Sequence, residues 1–296
     1  MTQDTISAPC RLSIVLPAKN ESGAIGQTVA RLRAHFPDSE IIVVNDGSSD
    51  ATADIAREAG ARVISHPYSK GNGAAIKTGA RAARGETIVF MDADGQHDPE
   101  DIPRLLEKLA EGYDMVVGAR QQGSQASFGR GIANRLYNKL ASYMTGHRID
   151  DLTSGFRAAR AKRFREFLYL LPNGFSYPST STMAFFRSGY PVAYVPIHAT
   201  RRIGKSHIRI FRDGARFLVI IFRIGTLFSP LKIFVPVSVL MFLSASAWYL
   251  YTYTQLGRFT NMSALLYTGS IMIFLMGLIS EQITALMYKD SGAERE

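Results

Sequence analysis

Two carboxylates one residue apart close a short apolar run in ETIVFMDADGQHDPE, residues 86–100. At the end of a buried strand, Asp92 and Asp94 would point their oxygens into one crevice. Carboxylate oxygens in that arrangement suit a hard divalent ion, Mg2+ or Mn2+, whose other ligands are phosphate oxygens and water. An ion held there would neutralise a nucleotide diphosphate as it leaves. A lone Asp-x-Asp also caps turns. Here its place after Val89-Phe90-Met91 favours the site reading. So do two further polar clusters that end apolar runs, Pro17-Ala18-Lys19-Asn20-Glu21 and Asn45-Asp46-Gly47-Ser48-Ser49-Asp50.

The runs that carry these clusters define the fold. Residues 11–18, 40–46, 61–66, 86–94 and 113–120 are short and apolar without strict alternation. Helical patterns follow near 22–36, 50–60 and 72–84, and another starts after Asp98-Pro99, proline suiting a first turn. Such runs, each followed by a helix, are parallel strands buried on both faces. The expected class is α/β, doubly wound with a mostly parallel sheet, binding its ligands at the strands' carboxyl edge.

Several chemistries are excluded. There is no GxxxxGK[ST] for a P-loop and no GxSxG for a nucleophile elbow. Lys70-Gly71-Asn72-Gly73 lacks GxGxxG spacing and follows the third strand, which argues against a dinucleotide fold. The six histidines show no zinc spacing, and Cys10, the single cysteine, has no partner for an internal disulfide. The opening MTQDTISAPC is polar and unlike a signal peptide, so the N-terminal part is expected to stay in the cytosol.

The net charge of +9 is unevenly spread. Residues 1–119 carry 12 Lys+Arg and 17 Asp+Glu; residues 120–232 carry 19 and 4; residues 233–296 carry 3 and 4. In that last part, 233–254 and 259–280 are two uncharged 22-residue stretches, long enough to span a bilayer. Gln255 to Phe259 make a tight link, so a hairpin is expected, with Trp248, Tyr249, Tyr251 and Tyr253 as an interfacial belt. The basic region before the first span places that side in the cytosol. Residues 208–228 set Arg209, Arg212, Arg216 and Arg223 on one helical stripe, suiting a helix in the membrane interface. Glu281, inside the second span, is expected to clamp the hairpin through Lys232 or Arg223.

Five segments together resemble the family 2 glycosyltransferases with a GT-A fold. They are IVLPAKNE (14–21), VVNDGSSDAT (43–52), MDADGQHDPEDIP (91–103), DDLTSGFRA (150–158) and RRIGKS (201–206). The last two are similar to segments of the polyprenyl-phosphate sugar transferase branch, which includes dolichol-phosphate mannosyltransferases and bacterial undecaprenyl-phosphate glycosyltransferases. The resemblance implies that Pro17, Ala18, Glu21 and Asp46 hold the nucleotide's base and ribose. It implies that Asp92, Asp94 and Gln96 hold the metal and diphosphate, and that Arg120 and Arg202 bind phosphate. Two positions depart from the pattern: Asn45 stands where many relatives have a second Asp, and Arg130 occupies the place of a serine in some mannosyltransferases. Arg130 is read as an acceptor-phosphate ligand.

The reaction expected is transfer of a hexose from a nucleotide sugar, of UDP-glucose or GDP-mannose type, to a polyprenyl phosphate. Arg120, Arg130, Arg135, Arg157, Arg201, Arg202 and Lys205 put guanidinium and ammonium groups beside a bilayer, where they suit a lipid phosphate. A solvated basic face attracted to anionic lipid is the plainer reading of any one of them. Nucleic acid is set aside because of the membrane hairpin. A lipid monophosphate is already anionic, so its oxygen needs no general base; Asp151 is the first residue to test for one. Catalysis then falls to Asp94, Arg120 and Arg202, which position the groups and stabilise the leaving diphosphate with inversion at the sugar. The alternatives are a different acceptor, lipid or polysaccharide, and a non-catalytic membrane scaffold. Processive synthesis is disfavoured because the QxxRW motif needs a tryptophan, and the only one is Trp248. The expected organisation is a cytosolic GT-A catalytic domain (1–207), interfacial helices (208–230), a transmembrane hairpin (231–288) and a cytosolic tail (289–296). That makes a multi-pass inner-membrane protein, and the family resemblance adds a homo-oligomer, a tetramer.

Overall fold

The computed structural model describes residues 12–120, 128–174, 176–197, 222 and 225–289. They divide into two compact units: a sheet domain, and a C-terminal hairpin unit that also takes in Tyr143–Gly146.

In the sheet domain, strand and helix alternate as β1 (Leu12–Ala18), α1 (Ile25–His35), β2 (Glu40–Asn45), α2 (Thr52–Glu58), β3 (Arg62–Ser65), α3 (Asn72–Ala82) and β4 (Thr87–Phe90). A 3-10 turn (Pro99–Asp101) leads into α4 (Ile102–Ala110), then β5 (Met115–Arg120) and α5 (Phe128–Thr145). The domain continues with β6 (Arg157–Arg160), α6 (Ala161–Arg165), α7 (Tyr177–Arg187) and β7 (Val192–Ile197). The seven strands form one sheet in the order β3-β2-β1-β4-β6-β5-β7. All neighbours run parallel except β6, which is antiparallel to β4 and β5. Ile14, Leu16, Ile41, Val43, Val89 and Val116 are fully buried, as continuous apolar strands covered on both faces require. The α/β, mostly parallel class read from the sequence is the one observed.

β6 is the strand that the apolar pattern does not announce. Arg157-Ala158-Ala159-Arg160 has no β-branched residue and slots between β4 and β5, its alanines fully buried. Its first residue, Arg157, is fully buried as well. The Arg157 guanidinium donates to the Pro178 carbonyl (2.9 Å), the Ser181 hydroxyl (2.7 Å) and the Ser154 carbonyl, tying β6 to the start of α7.

Register brings the polar clusters to one edge. Ala18 pairs with Asn45 across β1 and β2, and Met91 N–H continues the β4 ladder onto the Val15 carbonyl (3.1 Å). The glycines after β3 serve a different purpose. Gly71 has φ +101°, and a Cβ on Gly73 would lie 1.9 Å from the Pro172 carbonyl oxygen. The gap lets the 172–174 turn close on α3: Gly73 N–H reaches the Gly174 carbonyl (3.1 Å) and Ala74 N–H that of Asn173 (2.9 Å). Lys77 adds bonds to the Leu171 carbonyl and the Asn173 side chain. N–H groups that a helix start leaves unsatisfied are thus taken by protein carbonyls.

The hairpin unit consists of α8 (Pro230–Leu256) and α9 (Asn261–Lys289), joined through Gly257 at φ +62°. Both have a mean hydropathy of 1.9, yet only 11% and 17% of their apolar windows are buried. A core helix of a soluble protein would be mostly covered. Helices this apolar and this exposed suit lipid. The two pack through small residues. A Cβ on Gly277 would lie 2.7 Å from Phe234 Cβ, and the Ser238 and Ser270 hydroxyls each donate to the other's backbone carbonyl (3.0 Å both ways). Of the two partners expected for Glu281, Lys232 makes no ion pair with it among the described residues: Lys232 Nζ donates to the Tyr143 and Met144 carbonyls, and Glu281 accepts from Leu231 N–H at 3.5 Å. Arg223 and the interfacial stripe at 208–221 lie outside the described residues.

Gly73→Ala should destabilise the sheet domain by about 1–3 kcal/mol, because the added methyl meets backbone that cannot swing aside. Thermal or denaturant unfolding of the purified protein checks it; an unchanged midpoint would contradict the close approach.

Candidate active site

The end of β4 carries the densest group. Asp92 is partly exposed, and His97 Nε2 lies 3.3 Å from its Oδ2. His97 is buried and stacked on Phe156 at 5.0 Å and 16°, which fixes the ring's direction. Gly155 also faces the carboxylate: a Cβ there would lie 3.0 Å from Asp92 Oδ2 and 3.2 Å from Oδ1, so a side chain at this position would crowd it. Asp94 Oδ1 accepts from Gln96 N–H (3.2 Å) over a turn in which Gly95 has φ +74°.

Among the described residues no cluster of three or more His, Cys, Asp or Glu side chains gathers to cage a metal. Two carboxylates and an amide are fewer oxygens than a hard divalent ion needs, so the balance would come from phosphate and water. That donor set, with the space that Gly155 leaves, fits Mg2+ or Mn2+ held together with a diphosphate. His97 and Gly155 are missed when only Asp92, Asp94 and Gln96 are read as the motif. The histidine's place one residue after Gln96 was the available signal.

At the end of β5, Arg120 is clasped by Asp151. Arg120 Nε and Nη2 donate to the two carboxylate oxygens (2.8 and 3.1 Å), and Nη2 also reaches Thr153 Oγ1 (2.6 Å). Asp151 accepts further bonds from the N–H groups of Thr153 and Ser154, 3.0 and 3.1 Å away. Burial alone would push its carboxyl up, but the Arg120 fork and these N–H groups outweigh it and hold the group below the usual carboxylate range. A carboxylate so engaged is a poor general base and a good anchor. Burial opposes the charge on Arg120 too, and is outweighed by Asp151 and by the nearby charge of Asp92. Among the described residues Nη1 of Arg120 has no hydrogen-bond partner, so one edge of the fork stays available.

The β1–β2 edge is a network of its own. Pro17 is half-buried, Ala18 buried and Glu21 half-buried, with Glu21 N–H donating to Thr52 Oγ1 (2.9 Å). Asp46 is buried, and each of its oxygens accepts two bonds. Oδ1 takes His66 Nδ1 (2.7 Å) and Lys70 N–H (2.8 Å); Oδ2 takes Ser69 Oγ (2.8 Å) and Gly71 N–H (2.9 Å). A carboxylate has about four lone-pair sites, and here all are used within the protein. Burial raises its pKa, the four donors outweigh burial, and the net value falls to about 2. His66, fixed from its other nitrogen by Thr78 (2.9 Å), gave no signal in the sequence. Asn45 Oδ1 accepts from Ser48 N–H (3.1 Å) and its Nδ2 reaches Ser65 Oγ (3.3 Å), so this departure from the family pattern braces the turn.

The basic residues separate. Arg157, counted among the phosphate-facing cations, is fully buried and spends its donors on α7 and on Ser154, so it is a structural cation. Arg130 belongs to α5, but its side chain, like Arg201, Arg202 and Lys205, lies outside the described residues.

A mostly parallel sheet with an Asp-x-Asp pair at its carboxyl edge defines a GT-A-like glycosyltransferase fold. Residues 13–168, a little over half of the chain, match the family described as glycosyl transferase family 2, and residues 229–286 match the GtrB C-terminal hairpin. The chain belongs to glycosyl transferase family 2. It is 36% identical over 168 residues to an undecaprenyl-phosphate 4-deoxy-4-formamido-L-arabinose transferase of Edwardsiella ictaluri, covering 53% of this chain and 51% of that one. It is 31% identical to a dolichyl-phosphate hexose transferase of Haloferax volcanii, covering 69% and 89%. The chain thus spans about half the length of the first of these relatives. Among solved structures, glucosyl-3-phosphoglycerate synthase of Mycobacterium tuberculosis, in complex with Mn2+, UDP and phosphoglyceric acid, aligns with a TM-score of 0.59. The identity is 24%, over 73% of this chain and 78% of that one, a likeness of fold.

Asp46→Asn should destabilise the fold at pH 7, and the deficit should shrink on acidification. The folded pKa of about 2 lies below an unfolded value of about 3.9, so the stabilisation is whole above roughly pH 5 and is lost as pH falls toward 2. Melting curves of both proteins at pH 7, 5 and 3 check it; a deficit of constant size would mean the charge on Asp46 is not what stabilises.

Proposed function

We propose that the chain is a membrane-bound inverting hexosyltransferase. It moves a sugar from a nucleotide sugar of UDP-glucose or GDP-mannose type to undecaprenyl or dolichyl phosphate, giving a lipid-monophosphate-linked sugar. The observation that carries this reading is the pairing at the sheet edge of two stations for phosphate. Asp92 and Asp94 offer carboxylates to a divalent ion, and Arg120, oriented by Asp151 and within electrostatic reach of Asp92, keeps one edge of its fork unspent. The names of the undecaprenyl-phosphate and dolichyl-phosphate relatives, and the match to the GtrB hairpin, support a lipid phosphate as acceptor.

In this scheme Asp92, Asp94 and Gln96 would hold Mg2+ or Mn2+, which would supply positive charge to the diphosphate. The rest falls to the chain's own residues. The sheet edge at Pro17, Ala18 and Glu21 receives base and ribose, and Asp46 acts from behind by holding the 69–71 backbone. Arg120 offsets the repulsion between two phosphate groups brought together, with Arg130 and Arg202 completing the acceptor site. Oriented charges of this kind act where charge develops and need no reorganisation. The acceptor oxygen is anionic at neutral pH, so it attacks the anomeric carbon directly while the nucleotide diphosphate departs from the opposite face. No base is assigned; Asp151 serves Arg120. Residues 1–207 would face the cytosol, 208–230 lie along the interface and 231–288 cross the inner membrane twice, with 289–296 as a cytosolic tail. The basic region before the first span supports that orientation.

Asp94→Asn, correctly folded, should lower transfer by about 100-fold or more, judged from the loss of one charge-stabilising group. The assay is incubation of the purified protein with UDP- and GDP-sugars, Mg2+ or Mn2+ and undecaprenyl phosphate, with mass spectrometry of the lipid. Near-normal transfer would remove the metal assignment. Arg120→Ala should chiefly raise the KM for the lipid phosphate; an unchanged KM would put the acceptor elsewhere.

A further inference from the structure

His97 is bound to Asp92 more closely than a turn requires. Its side chain is 4% exposed, and Nε2 lies 3.3 Å from Asp92 Oδ2. The ring stacks on Phe156, with centroids 5.0 Å apart and planes 16° from parallel, so it cannot rotate without leaving that stack. Nδ1 is buried and finds no hydrogen-bond partner among the described residues. These contacts assign the tautomer. A lone pair on Nε2 would repel the ionised carboxylate at this distance, so Nε2 carries the proton and donates it to Oδ2. A proton on Nδ1 instead would be a buried donor with nothing to receive it.

Resting on the metal site of the reading above, we propose that His97 is a positioning residue: through Nε2–H it holds the Asp92 carboxylate in the orientation that receives the divalent ion. Asp92 lies beyond the last residue of β4, and 36% of its side chain is exposed, so burial alone does not fix it. A neutral imidazole orients the carboxylate and leaves its negative charge for the ion. Arg120 is the contrast, since its guanidinium spends a full charge on Asp151. A hydrogen bond to a metal-ligating carboxylate from outside the ligand set orients that ligand before the ion arrives, and losing one typically weakens metal binding by about 10–100-fold.

The test is equilibrium binding of UDP and of GDP to the full chain in detergent, once with Mn2+ and once with EDTA. The nucleotide that the wild type binds tighter is used for the variants, and its Mn2+-to-EDTA affinity ratio measures what the ion contributes. His97→Phe keeps a ring on Phe156 and loses the donor; it should lower the ratio at least about tenfold while the EDTA affinity stays within about twofold of wild type. A smaller fall, or a loss shared equally by both conditions, overturns the proposal. His97→Gln, whose amide nitrogen falls near the place of Nε2, should have a ratio at least about threefold above that of His97→Asn, whose amide falls near Nδ1. Equal ratios in that pair overturn the proposal too, and the pair decides alone if melting curves show His97→Phe unfolded. A wild type that gains nothing from Mn2+ with either nucleotide would overturn the metal assignment and this role with it. Lipid product is followed in parallel by mass spectrometry. A large wild-type ratio without lipid product would overturn the acceptor reading and leave the role of His97 standing.

Discussion

The site depends on a buried cation that touches no substrate group. Arg157 lies fully inside the sheet domain, where an arginine without a carboxylate in contact is costly. Its hydrogen bonds to the Ser154 carbonyl and to the first turn of α7 offset that cost and join two chain segments that would otherwise be independent. Asp151, which holds Arg120, and Gly155, which faces Asp92, lie within six residues of Arg157 on the segment that the junction ties to α7.

Much of the architecture was legible because it rests on strong local signals. β1 to β5 are runs of Val, Ile and Leu with polar ends, and the Asp98-Pro99 start is seen as Asp98 accepting from Glu100 N–H at 3.0 Å. β6 was not legible, since two alanines between arginines carry no strand signature and only the neighbouring strands make them one. The start of α7, Tyr-Pro-Ser-Thr-Ser-Thr, is poor in helix formers, so tertiary packing decides it. Motif positions proved easier to read than motif roles. Asp46 and Asp92 look alike as sequence, yet one is buried with four donors around it and the other is partly exposed beside a glycine. Arg120 and Arg157 look alike in the same way and differ in burial, which composition does not encode.

The uneven charge along the chain also changes meaning with the structure. Several acidic residues of the first 119 are bound up in local pairs, such as Arg31–Asp98, Arg62–Glu40 and Arg104–Asp101. Exposed pairs of this type contribute little stability. In the hairpin unit, polar groups are handled by reciprocity instead: two serines satisfy each other's carbonyls, so the apolar helices bring little unmet polarity into their contact.

The clasp between α3 and the 172–174 turn bears on how the protein is assembled. Lys77 and Asn173 are 96 residues apart in the chain, and most of the intervening stretch belongs to other elements. Such a contact forms only after a long loop has closed, so it follows the local β-α-β pairings of β1 to β4. The same order applies in reverse to partial unfolding. A weakened clasp would release the 172–174 turn while β1 to β4 remain intact, so the two parts of the sheet domain differ in durability.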